Sequence, residues 1–186
     1  MTEPPGLRPS LCTVGHGTLI EEAFATLAAD AGLHEIVDVR SFPGSRRNPQ
    51  FGAEQMARWL PEHHIGYRWM RDLGGRRKPV AESRHVGLRH PSFRAYADYM
   101  DTASFIAAVT ELATGAAARA VMCSESVWWR CHRRLLADHL TLIEGVEVTH
   151  LMHDGRRMPH VTTDAVRRDG DRLTYDVGAP PLLPAI

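Results

Sequence analysis

Short apolar, β-branched runs alternate along this chain with longer stretches whose apolar residues recur at helical spacing. Strands joined by helices of ten or more residues are typical of a parallel sheet. We therefore predict an α/β fold of three layers: a mostly parallel sheet with helices on both faces, plus a small C-terminal β-hairpin that turns at residues 168–171. The predicted strands of the sheet are residues 11–15, 35–39, 66–70, 119–123 and 146–151.

The domain organisation follows from where this alternation starts and stops. We expect a disordered lead-in over residues 1–10, a single α/β domain over residues 11–178, and a flexible tail over residues 179–186. The chain has 186 residues, of which 44% are hydrophobic and 24% charged, which is ordinary for a folded globular domain and excludes a disordered one.

The same sequence bears on where the protein works. No apolar run approaches the ~20 residues that a membrane-spanning helix needs. The polar, proline-rich start of the chain resembles neither a signal peptide nor a transit sequence. Three cysteines, an odd number, do not make a disulfide framework and favour a reducing compartment. We therefore expect a cytoplasmic protein with no membrane partner.

Basic residues are concentrated in the middle of the chain, although the formal net charge is zero. Between Arg40 and Arg94 there are 12 Lys and Arg residues against 4 Asp and Glu residues. This excess favours an anionic partner, and we expect a phosphate-bearing substrate, with DNA and RNA as candidates. A merely solvated basic face is the alternative, since 21 of the 22 basic residues are arginines, a bias that a GC-rich genome also produces.

Side chains of catalytic type come at or directly after three of the predicted strands. His16 follows the first strand, Asp38 lies near the end of the second, Cys123 ends the fourth, and Glu125 comes two residues after it. Because parallel strands bring these loops to one edge of the sheet, we predict that the four residues form an active site.

Each of these residues has a functional and an ordinary interpretation. Glu125 is expected to supply carboxylate chemistry, with His16 as its proton-transfer partner. Asp38 is expected to orient Arg40 or His16. Cys123 precedes a helical segment, whose dipole lowers a thiol pKa. The ordinary alternatives are a turn histidine, a buried hydrogen-bonded carboxylate and an inert buried thiol.

A second group of residues is expected to bind the substrate. Forked guanidinium groups on a Pro/Gly loop after the second strand suit the capture of a phosphate, and a tryptophan can stack on a base. A Gly-Gly-Arg segment is a further candidate contact, although the P-loop spacing is absent, and we expect no cofactor. The predicted binding residues are Arg40, Arg46, Arg47, Asn48, Gly74, Gly75, Arg76, Trp128, Cys131, His132 and Arg133.

Cys123, Cys131 and His132 are close enough in sequence to suggest zinc. However, the Cys-x7-Cys spacing and the adjacent Cys-His pair match no common zinc pattern. We therefore expect no metal.

The blocks TVGHG, VDVRSFPGSRRNPQF, LGG, and MCSE followed by CHR resemble, in this order, a family called domain of unknown function 488. The resemblance runs from about residue 12 to about residue 152 and implies an α/β fold. It implies no activity, because the family is named for an unknown one. Its recurrent residues map here onto His16, Asp38, Arg40, Arg46, Arg47, Asn48, Gly74, Gly75, Cys123, Glu125, Cys131, His132 and Arg133.

A weaker likeness concerns the Asp-Val-Arg strand and the later strand-Cys-loop-Arg unit, which are similar to those of rhodanese-type sulfurtransferases and cysteine phosphatases. This likeness implies that Cys123 is a nucleophile. Those families place five residues between the cysteine and the arginine, whereas six separate Cys123 from Arg130. Glu125 lies within this loop, where its charge would repel an anion.

These observations predict an enzyme that acts on a nucleotide or nucleic acid, a hydrolase and more specifically an N-glycosidase, with Glu125 as its carboxylate. The first alternative is a cysteine-dependent sulfurtransferase or phosphatase that uses Cys123. The second is a non-catalytic nucleic-acid-binding protein. The grouping of Cys, Glu and His at strand ends argues against this second alternative, because phosphate binding needs none of them.

Overall fold

The computed structural model describes residues 9–44, 46–115 and 118–178. These residues form a six-stranded sheet, the helices that cover it and a separate two-stranded hairpin, so the predicted α/β class is confirmed. The expected lead-in and tail fall mainly on residues 1–8 and 179–186, which lie outside the described residues. Ser10, which was expected to belong to the lead-in, is the first residue of the first strand.

Five parallel strands lie where the sequence places them, in the order β3-β2-β4-β1-β5 across the sheet. A sixth strand, β6 (Arg157–Pro159), pairs antiparallel with β5 at the edge. The sequence does not predict β6, because its three residues are all exposed and show no apolar alternation. The parallel strands are β1 (Ser10–Gly15), β2 (Glu35–Asp38), β3 (Gly66–Trp69), β4 (Arg119–Cys123) and β5 (Glu147–Leu151).

Helices cover both faces of the sheet, which confirms the three layers. Ile36 and Val37 are successive residues of β2 and point to opposite faces. Ile36 belongs to the apolar cluster that contains the first two helices, and Val37 to the cluster that contains the other three. None of the helices in the described part of the chain has the length and apolar character to cross a bilayer. The first layer contains α1 (Glu21–Asp30) and α2 (Ala53–Glu62), and the second α3 (Pro91–Tyr99), α4 (Ala103–Thr114) and α5 (Arg133–Leu142).

Local signals in the sequence set several helix ends. Gly32 adopts a positive φ of 65° just after α1, a conformation that glycine adopts without strain. α3 begins with Pro91. The first N–H groups of a helix have no acceptor within the helix, so a proline at this position costs no hydrogen bond. Thr102 caps α4, since its hydroxyl accepts a hydrogen bond from the backbone N–H of Phe105 at 3.3 Å.

The two central strands, β1 and β4, are neighbours in the sheet, and the chain segments that follow them go to opposite faces of it. The chain leaving β1 enters α1 on one face, whereas the chain leaving β4 enters α5 on the other. Two backbone hydrogen bonds of 3.0 Å, His16 N to Cys123 O and Gly17 N to Ser124 O, continue the pairing beyond the strand ends. Open α/β sheets form a ligand-binding crevice at such a topological switch point.

The predicted C-terminal hairpin is present as β7 (Val166–Asp169) and β8 (Arg172–Tyr175). It turns at Gly170, whose φ is 60°. Because an isolated two-stranded ribbon is only marginally stable in water, the hairpin depends on contacts with the rest of the domain.

Asp138 on α5 supplies much of that attachment. Its carboxylate is fully buried and accepts hydrogen bonds from Thr163 Oγ1 (2.7 Å), Thr163 N (3.0 Å) and Tyr175 OH (3.1 Å). His160 Nε2 lies 2.9 Å from the same carboxylate, and His160 Nδ1 lies 3.0 Å from His150 Nε2. A single carboxylate therefore joins α5, β8 and the segment that leads from β6 to the hairpin.

Replacing Asp138 with alanine should lower the free energy of unfolding by about 3 kcal/mol, because several buried donors lose their acceptor. The exposed turn residue Asp171, replaced by alanine, is the matched control and should change it by less than about 0.5 kcal/mol. Urea denaturation of both variants measures the difference. Equal stabilities would show that the buried carboxylate does not hold the hairpin in place.

Candidate functional site

A cavity of about 630 Å³ opens at the switch point between β1 and β4. The loops after β1, β2 and β4 form most of its wall, and residues 75–76, the start of α3 and residues 130–132 complete it. The structure therefore brings many of the predicted site residues to one place. Those that line the cavity are His16, Arg40, Asn48, Gly75, Arg76, Cys123, Glu125, Cys131 and His132.

A buried ion pair between Asp38 and Arg40 lies beneath this cavity. The carboxylate of Asp38 is fully buried, and Arg40 Nη2 lies 2.5 Å from its Oδ2. Arg40 Nε also donates to this carboxylate at 2.9 Å, and Nη2 donates to the carbonyl of Phe51 at 2.7 Å. Asp38 thus orients Arg40, as the sequence predicts. Protein acceptors already occupy most of the N–H groups of Arg40, which leaves few of them for the predicted capture of a phosphate, although Arg40 does line the cavity.

His16 completes this buried group as a hydrogen-bond acceptor. Its Nε2 lies 3.2 Å from Arg40 Nη1, and its Nδ1 lies 2.9 Å from the carbonyl of Gly17. Burial and the positive charge of Arg40 lower the pKa of His16 to about 4, so the imidazole is neutral at pH 7. The neutral ring donates through Nδ1 and accepts through Nε2, and it stacks on Phe51 with ring centroids 4.2 Å apart. These contacts favour a positioning role toward Arg40 for His16 and give no support to the predicted proton transfer.

Glu125 is held by its backbone, while its side chain is exposed on the cavity wall. Its carbonyl oxygen accepts a hydrogen bond from Arg133 Nη2. The same carbonyl packs against Gly15, where an added Cβ would lie only 2.0 Å from it. Oε1 of Glu125 lies 3.4 Å from the backbone N–H of Val127. A fixed backbone with a solvent-facing carboxylate is suited to contact with a bound molecule.

Two cysteines and a histidine meet on the buried side of the cavity. His132 Nδ1 lies 3.5 Å from Cys131 Sγ and 3.9 Å from Cys123 Sγ. A hydrogen bond with Cys131, together with burial, raises the pKa of Cys123 to about 12. Burial opposes ionisation of Cys131, but the hydrogen bond from Cys123 and the charge of Arg133 lower its pKa to about 6. Of the two thiols, Cys131 is therefore the one that ionises first.

Two features argue against the anion cradle of rhodaneses or cysteine phosphatases in the cysteine loop. Such a mechanism needs a thiolate on the cysteine that ends the strand, whereas Cys123 keeps its proton near neutral pH. The exposed side chain of Glu125 follows two residues later and lines the same cavity. The structure thus gives no support to Cys123 as the nucleophile.

Two of the predicted binding residues are buried in the core. Trp128 is only 8% exposed and stacks on His150, with ring centroids 4.0 Å apart and planes 6° apart, so it cannot stack on a base. Arg133 is 1% exposed, and its Nε lies 3.4 Å from Cys131 Sγ, so it supports the site from within. Because protein encloses both residues, the structure gives no support to either predicted substrate contact.

The remaining binding candidates differ in position. Arg46 and Arg47 are exposed and lie outside the cavity lining, whereas Arg76 is exposed and lines it. Gly74 and Gly75 allow close packing: an added Cβ would lie 2.4 Å from the hydroxyl of Ser41 at Gly74 and 2.5 Å from His132 Nδ1 at Gly75. Cavity residues that the sequence did not single out for this site include Phe42, Phe93 and, as a binding residue, Arg130. Of these residues, only Arg130 could have been found from the sequence, because it directly precedes the Cys-His-Arg run.

A family model described as Domain of unknown function DUF488 matches residues 20–140, more than half of the chain. The chain belongs to the DUF488 family. No curated protein and no solved structure matches it. The DUF488 segment contains the loops after β2 and β4 and the start of α5, whereas His16 precedes it. Most of the cavity wall therefore lies inside the DUF488 match.

His16 should make the stability of this DUF488 protein depend on pH. Its pKa is about 4 in the folded protein and about 6.5 in the unfolded chain, so the unfolded chain binds a proton first as the pH falls. Between pH 7 and pH 5 this residue alone should remove about 2 kcal/mol of unfolding free energy. A His16→Gln variant, whose side-chain oxygen can still accept from Arg40, should lose about 2 kcal/mol less than the wild type. Urea titrations of both proteins at the two pH values test this, and parallel losses would contradict it.

Proposed function

We propose that this DUF488 protein is an enzyme that hydrolyses a phosphate-bearing nucleoside or nucleic-acid substrate, with Glu125 as the reacting carboxylate. The observation that carries the proposal is the composition of the cavity. Among the described residues that line it, Glu125 is the only carboxylate, and it shares the wall with Arg76 and Arg130. A cavity of about 630 Å³ also lies within the range usual for small-molecule sites.

The two exposed arginines are suited to the phosphate. Arg76 and Arg130 are both exposed at the cavity wall, in contrast to the enclosed Arg40. Guanidinium groups bind phosphate oxygens through paired N–H donors and keep their charge at every physiological pH. They replace Arg40, Arg46 and Arg47 as the proposed phosphate contacts.

Aromatic side chains on the same wall are suited to a base. Phe42 is 65% exposed, and Phe93 at the start of α3 is partly buried. Stacking of a base on an aromatic ring contributes about 1–3 kcal/mol and tolerates any base. These rings take the stacking role for which Trp128 is unavailable.

Cleavage of an N-glycosidic bond is the specific reaction that we propose. Its transition state has oxocarbenium character, which a nearby carboxylate stabilises or supplies with an activated water. The exposed Glu125 carboxylate meets this requirement.

We also propose that the protein works in the cytoplasm, since the three cysteines are free thiols, as a reducing compartment would keep them.

Replacing Glu125 with glutamine should lower turnover by a factor of about 100 or more, because a neutral amide neither stabilises positive charge nor takes a proton. The assay uses labelled single- and double-stranded DNA with damaged bases, and free nucleotides, and it detects base release by alkali-induced strand breaks or chromatography. The matched control is Glu54→Gln, an exposed carboxylate on α2 outside the cavity, which should keep full turnover. Full turnover in Glu125→Gln would exclude the mechanism. Binding by the wild type without any product would favour a nucleic-acid-binding protein instead.

Replacing Arg76 and Arg130 together with glutamine should weaken binding of the substrate and flatten its salt dependence. Each lost phosphate contact should reduce the slope of log K against log salt concentration by about one. The comparison is Arg58→Gln, an exposed arginine of α2 that does not line the cavity and should leave the slope unchanged. Fluorescence anisotropy at several salt concentrations gives both slopes. Identical slopes would place the phosphates elsewhere on the surface.

A further inference from the structure

We propose that Cys123, Cys131 and His132 bind a zinc ion on the buried side of the cavity, with one coordination position open to it. Their donor atoms, two Sγ atoms and one ring nitrogen, all lie within 4.8 Å of one another. The zinc site is inferred from this geometry alone. The chemical role of the ion rests in addition on the proposed function.

The distances between the donors fit a tetrahedral ion. Zinc lies about 2.3 Å from sulfur and about 2.0 Å from nitrogen, so tetrahedral angles place a sulfur and a nitrogen ligand about 3.5 Å apart. The distances from His132 Nδ1 are 3.5 Å to Cys131 Sγ and 3.9 Å to Cys123 Sγ. The two nitrogen–sulfur pairs therefore fit an ion with movements of a few tenths of an ångström, and the third pair, the two sulfur atoms, lies within 4.8 Å.

The surroundings of the three donors hold them in place. Gly75 packs so closely against the His132 ring that any side chain there would displace it, and Tyr96 contacts the ring edge-on with centroids 5.0 Å apart. Arg133 Nε lies 3.4 Å from Cys131 Sγ. Such outer contacts orient metal ligands and balance the charge of a thiolate.

The donor set selects both the metal and the kind of site. Two thiolates and an imidazole favour zinc over magnesium or calcium, which prefer oxygen ligands. No fourth His, Cys, Asp or Glu joins the cluster among the residues that the structure describes. Three protein ligands with a position left for water are typical of catalytic zinc, whereas structural zinc has four. Since all three residues line the cavity, the remaining position faces the space where a substrate would bind.

A zinc-bound water at this position would give Glu125 a defined partner. Zinc lowers the pKa of bound water, and the Glu125 carboxylate takes its proton. The water oxygen then forms a bond to the substrate carbon while the bond from that carbon to the leaving group breaks. The leaving group takes the proton back from Glu125, so the products are an alcohol or carbonyl compound and a protonated leaving group. In deaminases of nucleobases, zinc with one His and two Cys ligands activates a water for attack on a ring carbon, and a glutamate that is not a ligand acts as general acid and base.

Cobalt(II) is the probe that tests the site, because its spectrum reports thiolate ligands and tetrahedral geometry independently of turnover. The full-length protein is reduced, stripped of metal with a chelator and titrated with cobalt under anaerobic conditions. We expect a thiolate-to-cobalt charge-transfer band and intense visible bands at one equivalent, and zinc should abolish both. Added thiocyanate should shift the visible bands by occupying the open position. Absence of a charge-transfer band in the wild type would overturn the zinc site, and visible bands that ignore thiocyanate would overturn the open position.

Variants assign the ligands. Cys123→Ser and Cys131→Ser should each lose most of the charge-transfer band, and His132→Asn should bind cobalt much more weakly. Cys12→Ala is the matched control, because Cys12 is a buried free thiol on β1 that does not belong to the cluster, and it should keep the full spectrum. If the serine variants do not fold, alkylation of the wild type answers the same question. Zinc should protect Cys123 and Cys131 but not Cys12, and equal labelling with and without zinc would overturn the site.

The fate of the zinc site can be distinguished from that of the proposed function. Glu125→Gln should bind cobalt as tightly as the wild type, because Glu125 is not a ligand. A wild-type protein that releases base but binds no cobalt would retain the proposed function and lose the zinc site. A protein that binds cobalt with the expected spectrum but forms no product from any nucleotide or nucleic acid would retain the site and lose the proposed function.

Discussion

The buried ion pair between Asp38 and Arg40 is the interaction on which the candidate site depends. Asp38 ends β2, and Arg40 reaches from there to His16 after β1 and to the carbonyl of Phe51 before α2. The carbonyl of Arg40 in turn accepts a hydrogen bond from Trp69 Nε1 at the end of β3, at 2.8 Å. Loss of either charge would leave the other buried without a partner, which typically costs about 3–5 kcal/mol. One charged pair thus fixes the ends of three strands relative to one another.

The sequence predicts well which loops meet at one edge of the sheet, because this follows from rules that hold for each element separately. Apolar runs locate β1, β2 and β4, and the geometry of parallel sheets brings the loops after them to one edge. The hairpin is predictable for the same reason, since Gly170 marks a turn between two alternating runs. β6 is not predictable, because three exposed residues at a sheet edge carry no pattern.

Roles that depend on distant partners are not predictable from the sequence. Trp128 has the composition of a stacking residue, but it lies against His150, which belongs to β5, so only the tertiary structure shows that it is buried. Asp138 looks like an ordinary helix residue, and its acceptor role appears only when the hairpin folds back onto α5. The Cys-x7-Cys spacing predicts no metal site, yet the short 3-10 turn at Trp128–Arg130 returns the chain so that Cys131 meets Cys123. Pattern rules for zinc describe common loops, and this loop is not one of them.

The basic excess between residues 40 and 94 shows how local charge can mislead. Several of its twelve cations have structural partners: Arg40 pairs with Asp38, Arg68 with Glu35 and Glu111, and Arg84 with Asp101. Arg77 donates to the backbone carbonyls of Gly74 and Asp72, and its guanidinium lies 3.4 Å from the centroid of the Tyr99 ring. The acids that pair with these residues all lie outside the segment, which is why counting within it overstates the charge available to a ligand. The charge available to a ligand must therefore be judged from where each guanidinium lies, and the exposed arginines among the residues that line the cavity are Arg76 from within the segment and Arg130 from far beyond it.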